Sequence, residues 1–500
     1  MNNSFKKNQK FKVGVVYTEK PQYPKEAPYH PSINYPEYPF SGYISPKPNY
    51  VYDGIRQLFF KLGLDMVNWN TPRWNPLGYI INPGMTVAIK PNFVLSKHIE
   101  GKDIFSIITH PSVLRSIIDY CWIALKGKGK IIIADAPQYN CNFQELLEIT
   151  KLTEIQDFIN QFSGPRLEIL DLRNYWSKER HFPSMIRKLP GDPKGAIKVN
   201  LGKESAFFNY PNPQKFYGAV YHRSETIFHH SGERQEYEIS STIFNADVLI
   251  SVPKLKVHKK VGVTLNQKGL VGICTNKNLI VHYTLGTPSE GGDQFPENFL
   301  TKKERTIIKL ERWMYDHFLA KRIIGYEMIH RFIYGFLYLK IFKHFGLKIP
   351  KEKRLLDAGN WYGNDSAWRM VVDLAKIIHF VDKEGRLHNV PQRRLLSIID
   401  GVVGGENKGP LVPDPKPAGV LIAGDNFLAV DLVATRLMGF DFEKLKQFTN
   451  LDKNFCFGPK QTEDIEVVSN KENFEKFFID SQNNFFSFKP YPGWVGHIEI

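Results

Sequence analysis

The stretch NADVLISVPK, residues 245–254, decides the fold class because its apolar core is continuous and does not alternate with polar residues. A strand of this kind is buried on both faces, as in a parallel sheet that helices cover on each side. Similar runs occur in MTVAIK (85–90), GKIIIADAP (129–137) and GVLIAG (419–424). The sequence therefore predicts an α/β fold with mainly parallel sheets, helices on both faces, two lobes and a helical insertion.

Segments with helical spacing of apolar residues lie between these strands, at 52–63, 109–125, 142–159 and 368–381. The helix that starts near residue 109 has Thr109 as its expected N-cap and Pro111 in its first turn. Asp425 is the expected cap of the helix that follows residues 419–424. The run GVVGGENKGP after Asp400 has the composition of a glycine-rich loop.

The same pattern divides the chain into five predicted regions. They are an N-terminal strand with a Pro- and Tyr-rich arm (1–50), a first α/β lobe (51–300), a basic aromatic helical insertion (301–354), a second α/β lobe (355–445) and a C-terminal tail (446–500).

Composition excludes several classes of protein. Hydrophobic residues make up 42% and charged residues 23% of the 500 residues, as in ordinary globular proteins. The four cysteines are never within three residues of one another, which excludes a zinc ribbon, and no iron–sulfur cluster is expected. The start MNNSFKKNQK has no apolar core, so we read no signal peptide and expect a cytoplasmic protein. No stretch is long and apolar enough to predict a membrane-spanning helix.

Common catalytic motifs are absent. The sequence has no phosphate-binding loop of the form G-x-x-x-x-G-K-[ST], no G-x-S-x-G elbow and no H-E-x-x-H helix. GVVGGENKGP lacks the spacing of a dinucleotide fingerprint. Any active site must therefore be sought at the carboxyl ends of the strands, where ligands bind in open α/β sheets.

Polar residues follow most of the predicted strands. Lys90 and Asn92 lie at the end of the predicted strand at 85–90, and Asp135 and Gln138 lie at the end of the one at 129–135. The predicted strand at 245–252 is followed by PKLKVHKK (253–260), which places four lysines within seven residues. Residues at i and i+2 of an extended chain share a face, so Lys254, Lys256 and His258 are candidates to converge on an anion. A solvated, charged loop is the alternative interpretation of the same lysines.

The neighbouring lysines should disfavour protonation of His258 and leave it as a neutral base or metal ligand. Metal candidates are His258, His282 and Asp293, because histidine and carboxylate clusters bind first-row metals without cysteine. Whether a metal or another cofactor is present stays open at this point.

Several of these stretches together resemble the domain-of-unknown-function 362 family. They are VAIKPNF (87–93), THPSVL (109–114), IIIADAPQ (131–138), NADVLISVPKLKVH (245–258), GVTLNQKGLVG (262–272), DQFP (293–296), WYGNDSAWRMVVDL (361–374), IIDGVVGGENKGPLVP (398–413) and LAVDLVATRLMGF (428–440). They occur in order over about residues 85–440.

The resemblance implies an α/β protein whose activity the family name leaves unassigned. Many members of the family carry ferredoxin-like cysteine runs, which this sequence lacks. The layout also distantly resembles the nickel-pincer lactate racemases. That analogy implies acid/base or metal roles for His258 and His282, and cofactor- or substrate-holding roles for Lys254, Lys256 or Lys268.

The excess of positive charge is concentrated in one segment. The whole chain carries +15, and residues 301–354 hold 14 Lys and Arg against 5 Asp and Glu. This local excess does not suggest specific binding of nucleic acid. Residues 305–350 interleave aromatic and cationic residues, which fits either a helical hairpin packed on the core or an amphipathic element on an anionic membrane surface.

Two functions follow from these observations. The first is an enzyme that binds an anionic small molecule, in which the loop from Asp400 to Gly409 closes the cleft. His258 and His282 are then the catalytic candidates, and the substrate-binding candidates are Lys90, Asn92, Lys254, Lys256, Lys268 and Asp400. The alternative is a non-catalytic, membrane-peripheral or partner-docking protein of an assembly or export system, which docks through 305–350.

Overall fold

The computed structural model describes residues 10–178, 186–218, 223–314, 316, 349–451, 455, 457–476 and 485–500. Its centre is a sheet of ten strands. In chain order these are β1 (Phe11–Tyr17), β2 (Thr86–Pro91), β3 (Lys130–Asp135), β4 (Arg166–Asp171), β5 (Val248–Val252), β6 (Lys254–His258), β7 (Gly262–Val263), β8 (Arg394–Glu406), β9 (Asp414–Gly424) and β10 (Ile465–Ser469).

The strands lie in the order β10-β1-β9-β8-β5-β2-β3-β4. Strand β6 pairs with a later part of β8 than β5 does, and β7 pairs with β6. The pairs from β8 through β5, β2 and β3 to β4 are parallel. Only the pairs that involve β9 and β7 are antiparallel within this sheet. The predicted fold class, an α/β protein with a mainly parallel sheet, is confirmed.

The continuous apolar strands are buried on both faces, as their composition predicts. All five residues of β5 are buried, with Val248 and Ile250 in one apolar core and Leu249 in the other. Helices cover both faces. They include α1 (Tyr50–Lys61), α2 (Pro111–Leu125), α3 (Phe143–Thr150), α4 (Leu152–Asn160), α5 (Leu265–Gly269), α6 (Lys302–Met314), α7 (Lys351–Leu356), α8 (Ala367–Phe380) and α9 (Phe427–Leu437).

Smaller elements complete the chain. Short helices lie at Arg223–His229, Ser241–Phe244, Lys446–Thr449 and Glu472–Lys476. Short strands lie at Tyr175–Trp176, Arg187–Lys188, Ala196–Asn200, Phe216–Gly218, His230–Ser231, Arg234–Ser240 and Val281–Thr284. The pair Phe216–Gly218 and Val281–Thr284 forms a small sheet next to the site described below.

Both predicted helix caps are displaced by one residue. The side chain of His110, and not that of Thr109, accepts the hydrogen bond from Ser112 N, because the Thr109 hydroxyl donates to Val252 O. Asn426 caps α9 by accepting from Ala429 N at 2.9 Å, since Asp425 lies one residue too early to reach the first turn.

The predicted glycine-rich loop is part of a strand. β8 continues from Arg394 to Glu406, so residues 401–406 extend the sheet beside β6 and β9. Glycine is required there by close packing and not by a turn, since a Cβ on Gly405 would lie 2.5 Å from Ser106 O. Strands from both predicted lobes, 51–300 and 355–445, pair within this one sheet through β5 and β8.

The N-terminal arm packs on the domain, where the rings of Tyr38 and Phe40 join the core formed by α1 and α2. In the basic insertion, α6 contributes Ile307 and Ile308 to a small core with Phe295 and Leu300. Residues 317–348, which hold most of the predicted aromatic hairpin, lie outside the described residues. Within the described part of the chain, no helix has the length and apolarity needed to cross a membrane.

Candidate functional site

A cavity of about 640 Å³ opens at the carboxyl ends of β2 and β3, next to β6. This is the edge at which parallel α/β sheets bind ligands, and the volume is suited to a small organic molecule. Among the described residues, eight lysine and arginine side chains and three carboxylates line it. The wall therefore carries an excess of basic side chains.

Six of the eight predicted site residues lie on the wall of this one cavity, and Lys254 and Asp400 do not. The six are Lys90, Asn92, Lys256, His258, Lys268 and His282. Asp135 and Gln138, which also follow a strand, line the cavity with them.

Lys254 and Asp400 form a fully buried ion pair away from the cavity, with Nζ 2.9 Å from Oδ2. Tyr23 of the N-terminal arm donates its hydroxyl proton to Asp400 Oδ1 at 2.7 Å, and its ring stacks on His110 at 3.9 Å between centroids. Lys254 was expected to share a face with Lys256, but the register of β6 against β8 shifts between the two residues. These two side chains therefore hold the arm and the sheet together.

Lys90 and Asp135 form a second buried pair, and this one does face the cavity. Lys90 Nζ lies 3.0 Å from Asp135 Oδ1, and both side chains are 3% exposed. Asp135 Oδ2 accepts from Phe93 N at 2.8 Å, which fixes the carboxylate. A Cβ on Gly272 would lie 1.9 Å from Asp135 Oδ1, so only glycine lets this segment pack onto the ion pair.

Two further lysines of the wall donate to main-chain oxygens and have no carboxylate partner within the described chain. Lys256 Nζ donates to Ile107 O at 2.7 Å, and Lys277 Nζ donates to Val271 O. Burial lowers the pKa of Lys256 well below its usual value. Burial also lowers the pKa of Lys277 to about 8. These amines are held where their charge is disfavoured until an anion arrives.

The side chain of Lys268 lacks polar partners among the described residues. Its side chain is 8% exposed and makes neither a hydrogen bond nor an ion pair with a described residue. Burial, followed by the charge of Lys277, lowers the pKa of Lys268 to about 7. An amine with this pKa is half neutral at neutral pH, which is a common property of reactive lysines.

Lys268 is carried by the short helix α5, and Asp431 of α9 anchors that helix. Asp431 Oδ1 accepts from Asn266 N at 2.9 Å and from Asn266 Nδ2 at 2.7 Å, and Oδ2 accepts from Gln267 N at 2.9 Å. A fully buried carboxylate thus satisfies the free N–H groups at the start of the helix. Asp431 lies within the stretch LAVDLVATRLMGF, but the sequence pattern did not connect it with α5.

His258 is neutral, as the neighbouring lysines predicted. Burial lowers its pKa well below the usual value, and the charge of Lys268 lowers it further. Its Nδ1 accepts a hydrogen bond from Lys260 N at 3.1 Å, so the ring proton is on Nε2. In this tautomer the Nε2–H of His258 is a hydrogen-bond donor. His282, on the strand Val281–Thr284, is half-buried on the same wall.

Sequence reasoning did not identify the outer part of the wall. The rings of Tyr217 and Tyr283 stack with centroids 5.1 Å apart, and the guanidinium of Arg312 lies 5.6 Å and 5.8 Å from them. Arg312 pairs with Asp357 at 3.1 Å, and Arg354 pairs with Glu311. Tyr217, Tyr283, Arg312 and Arg354 lie far apart in the sequence, so only the fold brings them together.

No group of three or more His, Cys, Asp or Glu side chains suited to a metal ion occurs within the described chain. Asp293, one of the metal candidates, is instead occupied by hydrogen bonds from Thr284 N, Asp365 N and Ser366 N. His258 and His282 line the cavity, but Asp293 does not.

Residues 197–436 match the family model described as domain of unknown function 362. The match confirms the resemblance drawn from the sequence and includes Lys256, His258, Lys268, Lys277 and His282. No curated protein matches the chain. Neither finding supports the analogy with the lactate racemases.

Proposed function

We propose that this chain, whose residues 197–436 belong to the domain-of-unknown-function 362 family, is an enzyme that binds a small anionic molecule in the lysine-lined cavity. The observation that carries the proposal is the concentration of buried lysines there. Lys256, Lys268 and Lys277 are nearly buried on one wall, and no described carboxylate pairs with them.

Buried lysines without counter-charges are unfavourable for the folded protein and need a compensating role. Protein carboxylates would remove the penalty, and here the three carboxylates of the wall are already paired with Lys90, Arg312 and Arg354. A bound anion is the partner that the remaining lysines lack. Because several amines converge, a ligand with at least two negative charges suits the cavity best.

Two groups supply the chemistry in this proposal. Lys268 has a neutral amine available near neutral pH, and His258 directs an N–H donor from Nε2. A neutral imidazole donor can polarise an oxygen of the bound molecule, while the amine acts as a base or nucleophile. The wall therefore combines anion binding with a reactive group, which a docking surface does not require.

The alternative role, docking on a membrane or a partner, depends on the segment 305–350. Most of that segment lies outside the described residues, and its described part, α6, pairs with Glu290 and Asp357. The described residues therefore favour the function based on the cavity.

The affinity for an anion of fixed charge should rise as the pH falls. Oxalate is a dianion throughout the range from about pH 9 to about pH 6, whereas Lys277 and Lys268 gain protons as the pH falls through about 8 and about 7. We expect the affinity for oxalate to increase roughly tenfold or more over this range, with uptake of protons on binding. Isothermal titration calorimetry in two buffers of different ionisation enthalpy measures both quantities.

The control for this titration is Lys203→Gln, because the Lys203 side chain is 68% exposed and does not line the cavity. It should bind oxalate as the wild type does, and Lys277→Gln should bind it more weakly. An affinity that does not depend on pH, or equal binding by Lys277→Gln and the wild type, would contradict the proposed function.

A further inference from the structure

The surroundings of Lys268 differ from those of the other cavity lysines. Lys90 has the Asp135 carboxylate, and Lys256 and Lys277 have main-chain oxygens. Lys268 has neither kind of partner among the described residues, although only 8% of its side chain is exposed. Its amine therefore remains available for a bound molecule.

Burial, and then the charges around it, favour the neutral form of the Lys268 amine. Lys277 and Lys90 disfavour its protonation, and Lys268 in turn disfavours protonation of Lys256 and His258. A charged Cys274 thiolate would favour protonation of Lys268. However, burial raises the pKa of the Cys274 thiol to about 12, so it carries no charge at neutral pH. A desolvated lysine beside other cations is a standard arrangement for a nucleophilic amine.

We propose that Lys268 forms an imine with a carbonyl carbon of the substrate, which makes the substrate an anionic aldehyde or ketone. This inference rests on the proposed function, because the anion must first bind in the cavity. It assigns separate roles to the lysines: Lys277 and Lys90 attract the anionic group, and Lys268 reacts.

The step is balanced without an oxidant or a reductant. The lone pair on Lys268 Nζ forms a bond to the carbonyl carbon, and the π pair of the carbonyl moves to its oxygen, which takes up one of the two nitrogen protons. The resulting carbinolamine loses its hydroxyl group together with the nitrogen proton as one water molecule, and a C=N bond remains. Hydrolysis reverses the step and returns the free amine.

His258 supplies a hydrogen-bond donor for the first part of this step. Its Nδ1 accepts a hydrogen bond from Lys260 N, so its Nε2–H can donate a hydrogen bond to the carbonyl oxygen. Since its pKa is lowered well below the usual value, the ring stays neutral and stabilises the developing oxyanion as a donor. His258 and Lys268 line the same cavity.

Trapping with pyridoxal 5′-phosphate tests the inference, because this probe joins an aldehyde to a phosphate. At pH 7 an amine with a pKa of about 7 is half neutral, whereas an ordinary lysine is neutral in roughly one molecule in three thousand. After reduction with sodium borohydride and peptide mass spectrometry, we expect Lys268 to carry at least roughly tenfold more adduct than any lysine outside the cavity. The yield should rise with pH through about 7.

Two variants separate nucleophilic attack from simple binding. Lys268→Arg keeps the positive charge but should give no adduct at the cavity. Lys277→Gln removes the main neighbouring charge, so the pKa of Lys268 should rise and the pH midpoint of its labelling should move to higher pH. Thermal unfolding of each variant establishes that it is folded.

The analogue 4′-deoxypyridoxine 5′-phosphate, which lacks the carbonyl group, distinguishes the two proposals. If it binds and competes with oxalate but pyridoxal 5′-phosphate labels only exposed lysines, imine formation is wrong and the anion-binding function stands. If neither molecule binds, both proposals fail. Labelling of Lys268 that is equally efficient in Lys277→Gln at every pH would also overturn the inference.

Discussion

Lys268→Met is expected to weaken anion binding strongly without destabilising the protein. The wild-type Lys268 side chain is nearly buried in the cavity wall and has no described polar partner, so the charged form of its amine is disfavoured in the folded state. Methionine fills a similar volume without the charge. Replacing a poorly compensated buried charge by an apolar side chain is often neutral or stabilising by about 1–4 kcal/mol.

The loss of binding should be large. A charge-assisted hydrogen bond from Lys268 to an anion contributes roughly 1.5–3 kcal/mol, which corresponds to about a 10- to 150-fold weaker affinity for oxalate. Urea unfolding and calorimetric titration of the same preparation measure the two effects. A variant that loses stability and keeps its affinity would show that Lys268 has a structural role and no ligand-binding role.

Lys254→Met should have the opposite outcome. It leaves Asp400 as a buried carboxylate with no cation, although Tyr23 and His110 N still donate to it. Removal of one partner from a buried pair typically costs about 3–5 kcal/mol of unfolding free energy. We expect a loss of this size in urea unfolding, and an affinity for oxalate close to that of the wild type at temperatures where the variant is folded.

The double variant Lys254→Met/Asp400→Asn provides the control, because it removes the uncompensated charge as well. It should recover part of the lost stability. Lys203→Met, at an exposed pair with Glu233, should change the unfolding free energy by less than about 0.5 kcal/mol. If Lys254→Met costs less than about 1 kcal/mol, the pair does not hold the arm to the sheet.

The fold class could be predicted because β2, β3 and β5 are apolar on both faces, and this property is local. The position of Lys90, Asp135 and His258 at one edge followed from the rule that parallel strands end together. These inferences needed only the strand pattern and the direction of the chain.

The division of roles among the lysines could not be predicted in this way. The regular pleat places Lys254 beside Lys256, but the register shift against β8 separates them. Tyr23, which completes the Lys254 pair, is distant in sequence, as are Lys277 and Asp431, which act on Lys268. The run GVVGGE looked like a loop because glycine is common in turns, whereas here it permits close packing of strands.

Binding of an anion by the cavity lysines is tested most directly by locating a heavy anion in a crystal. Crystals soaked in selenate should give an anomalous peak inside the cavity, with selenate oxygens within about 3.2 Å of the Nζ atoms of Lys268 and Lys277. The same peak should be absent from crystals of Lys268→Met. Selenate peaks confined to the outer surface, with none on this wall, would contradict the account.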